Sequence, residues 1–340
     1  MSIFKIFDTD NDIVANQKQV ITSGLWSSGA GSLTTFFTSS VQSGSSGAYY
    51  YDLYKTDPAS DTAAEKQFDV TYGNYLGSGS ILTHSGTDNG ASKAMYSQFA
   101  QLLLGPSKSQ FIFTPSKTVD SIYVVTVDRS RLREKLDPGN WELHLDAGTT
   151  KIKLIDDSGG ANATTVDQGG RVYNVVSGSI TSGTAVVNTT AAAETTYGAY
   201  GLFYPDLGIL VFNGDRLDVA ADLNIGTVLT SNANGNNSGK LYDAVKTGAS
   251  FDARREENIS STHYFCRVYN KEFNFSSNPT FFTSSDGSMT NTSFVNDPQV
   301  YPTTVGLYND NNELLAVAKM SQPLLKNFSR ECIVKVKLDF

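Results

Sequence analysis

The clearest pattern in the chain is at its C-terminal end. In "ECIVKVKLDF" (331–340), Cys332, Val334, Val336, Leu338 and Phe340 alternate with Lys335, Lys337 and Asp339. That period of two is the signature of a half-buried strand. A core strand running to residue 340 places the α-carboxylate at a sheet end or an interface. "STHYFCRVYN" reads as another strand, and "TTVGLYNDNNELLAVAKM" (303–320) as two strands joined by Asn309-Asp310-Asn311-Asn312, a hairpin turn. Further upstream, Ile122 to Val127 is a mostly apolar strand, and Trp141, Leu143 and Leu145 alternate with Glu142 and His144. Residues 151–157 and 171–180 give weaker strands, and 200–218 gives strong strand signal split by Pro205-Asp206.

Helical periodicity is scarce. In "DNGASKAMYSQFAQLLLG" (88–105), Asp88 or Ser92 is placed to cap a helix whose apolar stripe is Met95, Phe99 and Leu102 or Leu103, with Gly105-Pro106 as its stop. A single helical turn is expected in "SRLREKLDPGN", ended by Asp137-Pro138-Gly139, and moderate helices around 239–247 and over 251–257. The pattern therefore predicts an α+β fold, predominantly β, with antiparallel or mixed sheets, a few short helices and long irregular segments. Three regions are expected: 1–148, an extended N-terminal arm with an α+β part; 149–199, a small inserted β region or a lobe of the main sheet; and 200–340, a β-rich domain ending in a core strand.

Composition changes that picture in one respect. Only 18% of residues are charged, while Phe and Tyr number 19 and 17. A neutral polar surface with many aromatic residues suits a protein largely covered by partners. Phe36, Phe37, Tyr49, Tyr50, Tyr51 and Tyr54 stud a Ser/Gly-rich stretch (27–54) too aromatic to be a linker. It reads as backbone laid over a scaffold or a neighbouring subunit, or as an N-terminal arm. The formal charge of −8 argues against a nucleic-acid partner. No apolar run approaches the ~20 residues of a membrane helix, and no cleaved signal peptide is expected from the first twenty residues. The two cysteines, Cys266 and Cys332, read as buried thiols of a protein made in a reducing compartment.

The search for chemistry nominates no catalytic, cofactor-binding or metal residue. His84, His144 and His263 fall on a loop, a strand's polar face and a strand start, with no partner three or four residues away. "DTDND" (8–12) opens like a calcium loop but has Ile13 and Gln19 where Gly and Glu are required. The Gly-rich stretches match neither a dinucleotide nor a P-loop pattern. Glu134 with Asp137, or Glu142 with Asp146, offer carboxylate pairs of a kind any chain this long contains. Arg254 and Arg255 beside Glu256 and Glu257 read as charges for local pairing or for a partner. The stretch "RVYNKEFNFSSNPTFF" (267–282) holds four Phe and three Asn. Phe273, Phe275, Phe281 and Phe282 are expected to pack against a neighbour or under their own loop.

Two long strings carry a resemblance: "RREENISSTHYFCRVYNKEFNFSSNPTFF" (254–282) and "YPTTVGLYNDNNELLAVAKMSQPLLKNFSRECIVKVKLDF" (301–340). They resemble the C-terminal part of virion structural proteins of T4-like contractile-tailed phages, notably those of marine cyanobacteria. "YVVTVDRSRLREKLDPGNWELHL" (123–145) is similar to an element in the first half of the same family. Residues 149–250 carry no such likeness. The resemblance implies a non-enzymatic viral assembly protein of the virion, most naturally of the baseplate wedge. It would be made in the host cytoplasm, need no cofactor, self-associate as a dimer or higher oligomer, and contact other baseplate proteins. Its contact residues would be Phe36, Phe37, Tyr49, Tyr50, Tyr51, Arg254, Arg255, Phe273, Phe275, Phe281, Phe282 and Phe340. The alternatives are a neck, head-decoration or fibre-attachment position, or a glycan-binding or glycan-cleaving tail protein using Trp26, Trp141 and the Tyr cluster.

Overall fold

The computed structural model describes all residues except 1–3, 40–49, 78–90, 149, 160–164, 183, 188–195, 230–233, 284 and 340. Its strands are β1 (Ile13–Gly24), β2 (Ser32–Leu33), β3 (Phe37–Thr38), β4 (Tyr50–Tyr54), β5 (Lys66–Asn74), β6 (Phe111–Phe113), β7 (Lys117–Val119), β8 (Ser121–Val127), β9 (Lys135–Asp146), β10 (Lys151–Asp156), β11 (Thr165–Asp167), β12 (Gly170–Thr181), β13 (Thr184–Val187), β14 (Gly201–Tyr204), β15 (Ile209–Asn213), β16 (Phe251–Val268), β17 (Thr304–Tyr308), β18 (Leu314–Lys319) and β19 (Cys332–Asp339). The helices are α1 (Ser92–Leu104), α2 (Arg129–Leu132), α3 (Gly214–Leu217) and α4 (Asn234–Gly248). The fold is α+β, mostly antiparallel sheet with few and short helices, as the pattern predicts.

Two compact units emerge: residues 21–257, the sheet unit, and residues 1–20 with 258–340, the terminal unit. The expected boundaries at 148/149 and 199/200 both fall inside the sheet unit. Of residues 149–199, β10 and β12 belong to its main sheet, hydrogen-bonded in line between β9 and β14.

The sheet unit is built on the strand order β9-β10-β12-β14-β15-β8-β5-β4-β3, each neighbour antiparallel. Alternation assigns its side chains to two cores. On one face Phe68, Tyr123, Trp141, Leu143, Phe203 and Phe212 pack with Leu241 and Val245 of α4. On the other, Val124, Leu202, Tyr204 and Val211 pack with Tyr96 and Leu103 of α1 and with Phe111 and Phe113 of β6. Helices cover both faces, so β14 and β15 are buried at every position, which explains their unbroken apolar runs.

Four local expectations are corrected. The buried positions of α1 include Tyr96, Ala100, Leu103 and Leu104; of the expected stripe, Leu103 is buried and Phe99 packs half-buried on the same core, while Leu102 is exposed; Asp88 lies outside the described residues. The Tyr96 hydroxyl donates to Val119 O at 2.8 Å and accepts from Phe111 N at 3.0 Å, which fixes that face inward. Asp137-Pro138-Gly139 does not end a turn between elements but lies within β9. There the register against β16 slips between Ala253 and Arg255. Gly139 at φ +79° makes this bulge possible. Residues 251–257 are strand rather than helix, because Phe251 to Ala253 and Arg255 to Glu256 pair with β9. Finally, the stretch from 27 is not a detached arm: Trp26, Leu33, Phe36 and Leu53 belong to the first core, although 40–49 lie outside the described residues.

In the terminal unit, β16 pairs with β19 from Ser261 opposite Asp339 to Val268 opposite Cys332. Phe265 N donates to Asp12 O at 2.8 Å beside β1. β17 and β18 form a separate two-stranded hairpin, closed by Asn309 N donating to Glu313 O at 3.0 Å, with Asn312 at φ +61°. Irregular backbone fills most of 269–303.

Candidate interaction surface

The two units differ in how they treat apolar side chains. Every member of both core clusters belongs to the sheet unit. In the terminal unit the buried apolar residues, among those described, are Phe281, Val300, Leu307, Cys332 and Val336. Against these five stand sixteen large hydrophobic residues that are exposed, among them Phe4, Ile6, Tyr269, Phe275, Tyr308, Leu315, Val317 and Phe328. Scattered exposed apolar residues are normal; here, among the described residues, they outnumber the local buried ones about threefold.

Part of this surface is the aromatic loop. Phe275 packs edge-on against Phe281 at 5.4 Å and tilted against Phe282 at 5.2 Å, and Phe281 lies 5.5 Å from Phe294. Phe281 is buried and Phe282 half-buried, while Phe273 and Phe275 remain exposed. The loop thus packs under itself through Phe281 and presents Phe273 and Phe275 outward. Phe273 is held at φ +50°, a left-handed conformation that costs a bulky residue about 1–2 kcal/mol. Lys326 fixes the neighbouring backbone. It is fully buried, and its Nζ donates to Asn270 O at 3.2 Å and Asn274 Oδ1 at 2.5 Å. Burial pulls its ammonium below the usual lysine range. The N-terminal segment adds a second clamp, with Lys5 Nζ 2.9 Å from Glu272 and 4.6 Å from the Tyr269 ring centre.

The other part is the β17–β18 hairpin. Val305, Leu307, Ala316 and Ala318 form its better covered side. Tyr308, Leu314, Leu315 and Val317 are exposed. At Gly306 a Cβ would meet the Tyr308 ring at 2.9 Å, so the ring lies over the gap that glycine leaves.

The remaining expected contact residues divide by unit and by burial. Phe36 is interior, edge-on to Phe68 at 6.2 Å, and Tyr51 is half-buried and stacked on Tyr242 at 5.9 Å. Arg255 is engaged inside the sheet unit: Nε donates to Ser23 Oγ at 2.8 Å and Nη1 to Arg131 O at 3.2 Å. Strand alternation places Arg254 on the opposite face, where it is exposed, as are Phe37 and Tyr50. Tyr49 and Phe340 lie outside the described residues. Sequence reasoning missed Lys326 and the outward side of the hairpin. The adjacent pair Leu314-Leu315 was the available signal, since neighbours on a strand point to opposite faces and one of them must leave the hairpin's covered side.

The polar clusters are occupied by their own neighbours. Glu142 Oε1 lies 2.5 Å from His144 Nε2 and 3.1 Å from Lys153 Nζ, and Oε2 accepts from Ile180 N at 2.6 Å. Desolvation raises its pKa, but these donors outweigh it and leave the carboxyl below its ordinary value. Asp146 closes its own turn by accepting from Gly148 N at 2.7 Å, and Asp137 accepts from Asn140 at 2.9 Å. Asp8 accepts from Asp10 N and Asn11, so "DTDND" is a self-bonded acidic turn. Among the described residues no group of three or more His, Cys, Asp or Glu is arranged to hold a metal, and no helix is long and apolar enough to cross a membrane. Cys266 and Cys332 are free thiols, both pushed up chiefly by burial. Trp26 and Trp141 are each 1% exposed, so neither offers a face to a sugar. Comparison with protein-family models, with curated proteins and with solved structures finds no match to this chain.

Proposed function

We propose that the chain is a non-enzymatic building block of a contractile-tailed phage particle, placed in the baseplate and acting by assembly. The observation that carries the assembly reading is the terminal unit, whose exposed large apolar residues outnumber its buried ones about threefold among those described. Apolar surface of that extent is stabilised when a partner removes it from water. The sheet unit, with two faces packed, supplies a rigid body. The assignment to a phage baseplate rests on the motif strings in 123–145, 254–282 and 301–340. Neck, head-decoration and fibre-attachment positions share the same chemistry and differ only in location.

The test is the solution mass of the full chain by light scattering on a sizing column across a concentration range. A discrete oligomer that persists on dilution is the expected result, and a monomer at every concentration overturns self-association. Immunogold labelling of contractile-tailed particles then tests location. Label at the tail end supports the baseplate, and its absence from particles overturns the virion assignment.

A further inference from the structure

Lys326 stands where a lysine is rarely found. Among the described residues no other lysine is buried. Its backbone is bonded to Val300 in both directions, N to O and O to N, each at 2.9 Å, so the side chain leaves from a fixed point. Both acceptors of its Nζ, Asn270 O and Asn274 Oδ1, are uncharged amide oxygens rather than carboxylates. A buried ammonium without a counter-ion is costly, which favours the neutral amine, and a neutral amine is a nucleophile. Burial outweighs the opposing charge of Glu272 at Lys326. That carboxylate is itself engaged by Lys5 at 2.9 Å and by Tyr269 N at 3.0 Å.

The carboxamide that faces this amine is held at both ends. Asn274 Nδ2 donates at 2.8 Å to Asn270 O, the same oxygen that accepts from Lys326, and Asn274 Oδ1 lies 2.5 Å from Nζ. A C=O bond is about 1.2 Å long, so Cγ of Asn274 lies within about 3.7 Å of the amine. That is close to the roughly 3–3.5 Å of a reacting pair held for attack. We propose that Lys326 and Asn274 are the two halves of an intramolecular isopeptide bond. Nζ attacks Cγ; the Nζ–Cγ bond forms and the Cγ–Nδ2 bond breaks. Nδ2 leaves as ammonia, carrying the proton that Nζ gives up, so the step balances without any co-reactant. Escape of ammonia into solvent makes the exchange one-way. The bond ties the aromatic loop to the segment before β19 across 52 residues of chain, and restricts the unfolded chain as a disulfide of that span does. The inference stands apart from the assembly reading.

Mass spectrometry of the purified full chain, denatured and reduced, tests it. The wild type is expected to weigh less than its sequence by one ammonia. Tryptic digestion should leave the chain uncut after Lys326 and give a branched peptide joining the segments that carry Asn274 and Lys326. Cyclisation of Asn274 onto its own backbone would lose the same ammonia, and Lys326→Arg separates the two chemistries. The isopeptide predicts that this variant recovers the full sequence mass, as should Asn274→Ala. The branched peptide is read on the wild-type chain, so the test does not depend on how well either variant folds. A wild-type chain of full sequence mass with separate, linear peptides overturns the bond, as does an ammonia loss that persists in Lys326→Arg.

Discussion

Asp52 stands directly opposite Asp69 across β4 and β5, and the ammonium of Lys66 lies 3.2 Å from the first carboxylate and 3.1 Å from the second. Burial, followed by the hydrogen bond from the Asp52 side, pushes the Asp69 carboxyl up to about 7, against the pull of Lys66. In the unfolded chain the group returns to its ordinary value of 3.8. Between those values the folded state holds a proton that the unfolded state has released. The contribution is therefore full below about pH 4 and is lost as pH rises through 7. Thermal unfolding at pH 5 and pH 8 should show the sheet unit melting roughly 3–6 °C lower at pH 8, a shift worth one to two kcal/mol. Asp69→Asn should flatten that slope and raise the melting temperature at pH 8.

Trp26 and Trp141 are core residues. The Trp26 indole donates to Phe251 O at 2.7 Å and packs on Phe251 at 4.8 Å, while Trp141 packs on Phe203 at 5.3 Å. Trp141→Ala should destabilise the sheet unit by about 3–5 kcal/mol in denaturant unfolding. Tryptophan fluorescence of the wild type should resist acrylamide and stay unchanged on adding oligosaccharides. A saccharide-dependent shift would return the sugar-binding alternative to first place.

Lys326 holds the aromatic loop from beneath. Lys326→Met keeps the aliphatic stem but leaves Asn270 O and Asn274 Oδ1 without their donor, a loss of about 1–3 kcal/mol. Hydrogen exchange should quicken locally over 270–282 while the strands of the sheet unit keep their protection.

Phe281 and Phe275 should separate stability from association. Phe281 is buried between Phe275 and Phe294, so Phe281→Ala should lower stability of the terminal unit by about 2–4 kcal/mol. Phe275 is 55% exposed, so Phe275→Ala should leave isolated-chain stability within about 1 kcal/mol while weakening association with whatever covers the loop. Equal losses of stability in both variants would make the loop a plain internal core.

Legibility of the fold followed the strength of the local signal. Residues 122–127, 151–157, 171–180 and 303–320 are strands where alternation or apolar runs predict them, because a strand's period of two is written locally. The sequence pattern places the stripe of α1 one position off at its start and leaves it open between Leu102 and Leu103, because Met95 and Phe99 fit a helical spacing as well as Tyr96 and Ala100 do. The choice depends on the Tyr96 hydroxyl finding Val119 O and Phe111 N, which are distant in sequence. Likewise Pro138-Gly139 signals a break, yet only pairing with β16 makes that break a bulge inside one strand. At the candidate surface, Phe36 and Phe275 look alike in sequence. Only the packed structure buries one and exposes the other.

The amino-acid sequence by itself determined the strands over 122–127, 151–157, 171–180 and 303–320, and that aromatic residues crowd 269–282. Tertiary structure decided which of those residues are already satisfied. β10 and β12 joined the central sheet and Arg255 was drawn inward, while among the described residues the terminal unit was left with more large apolar residues outside than within. The reason is that periodicity assigns a side chain to a face, whereas burial depends on whether another element, distant in the chain, comes to cover that face.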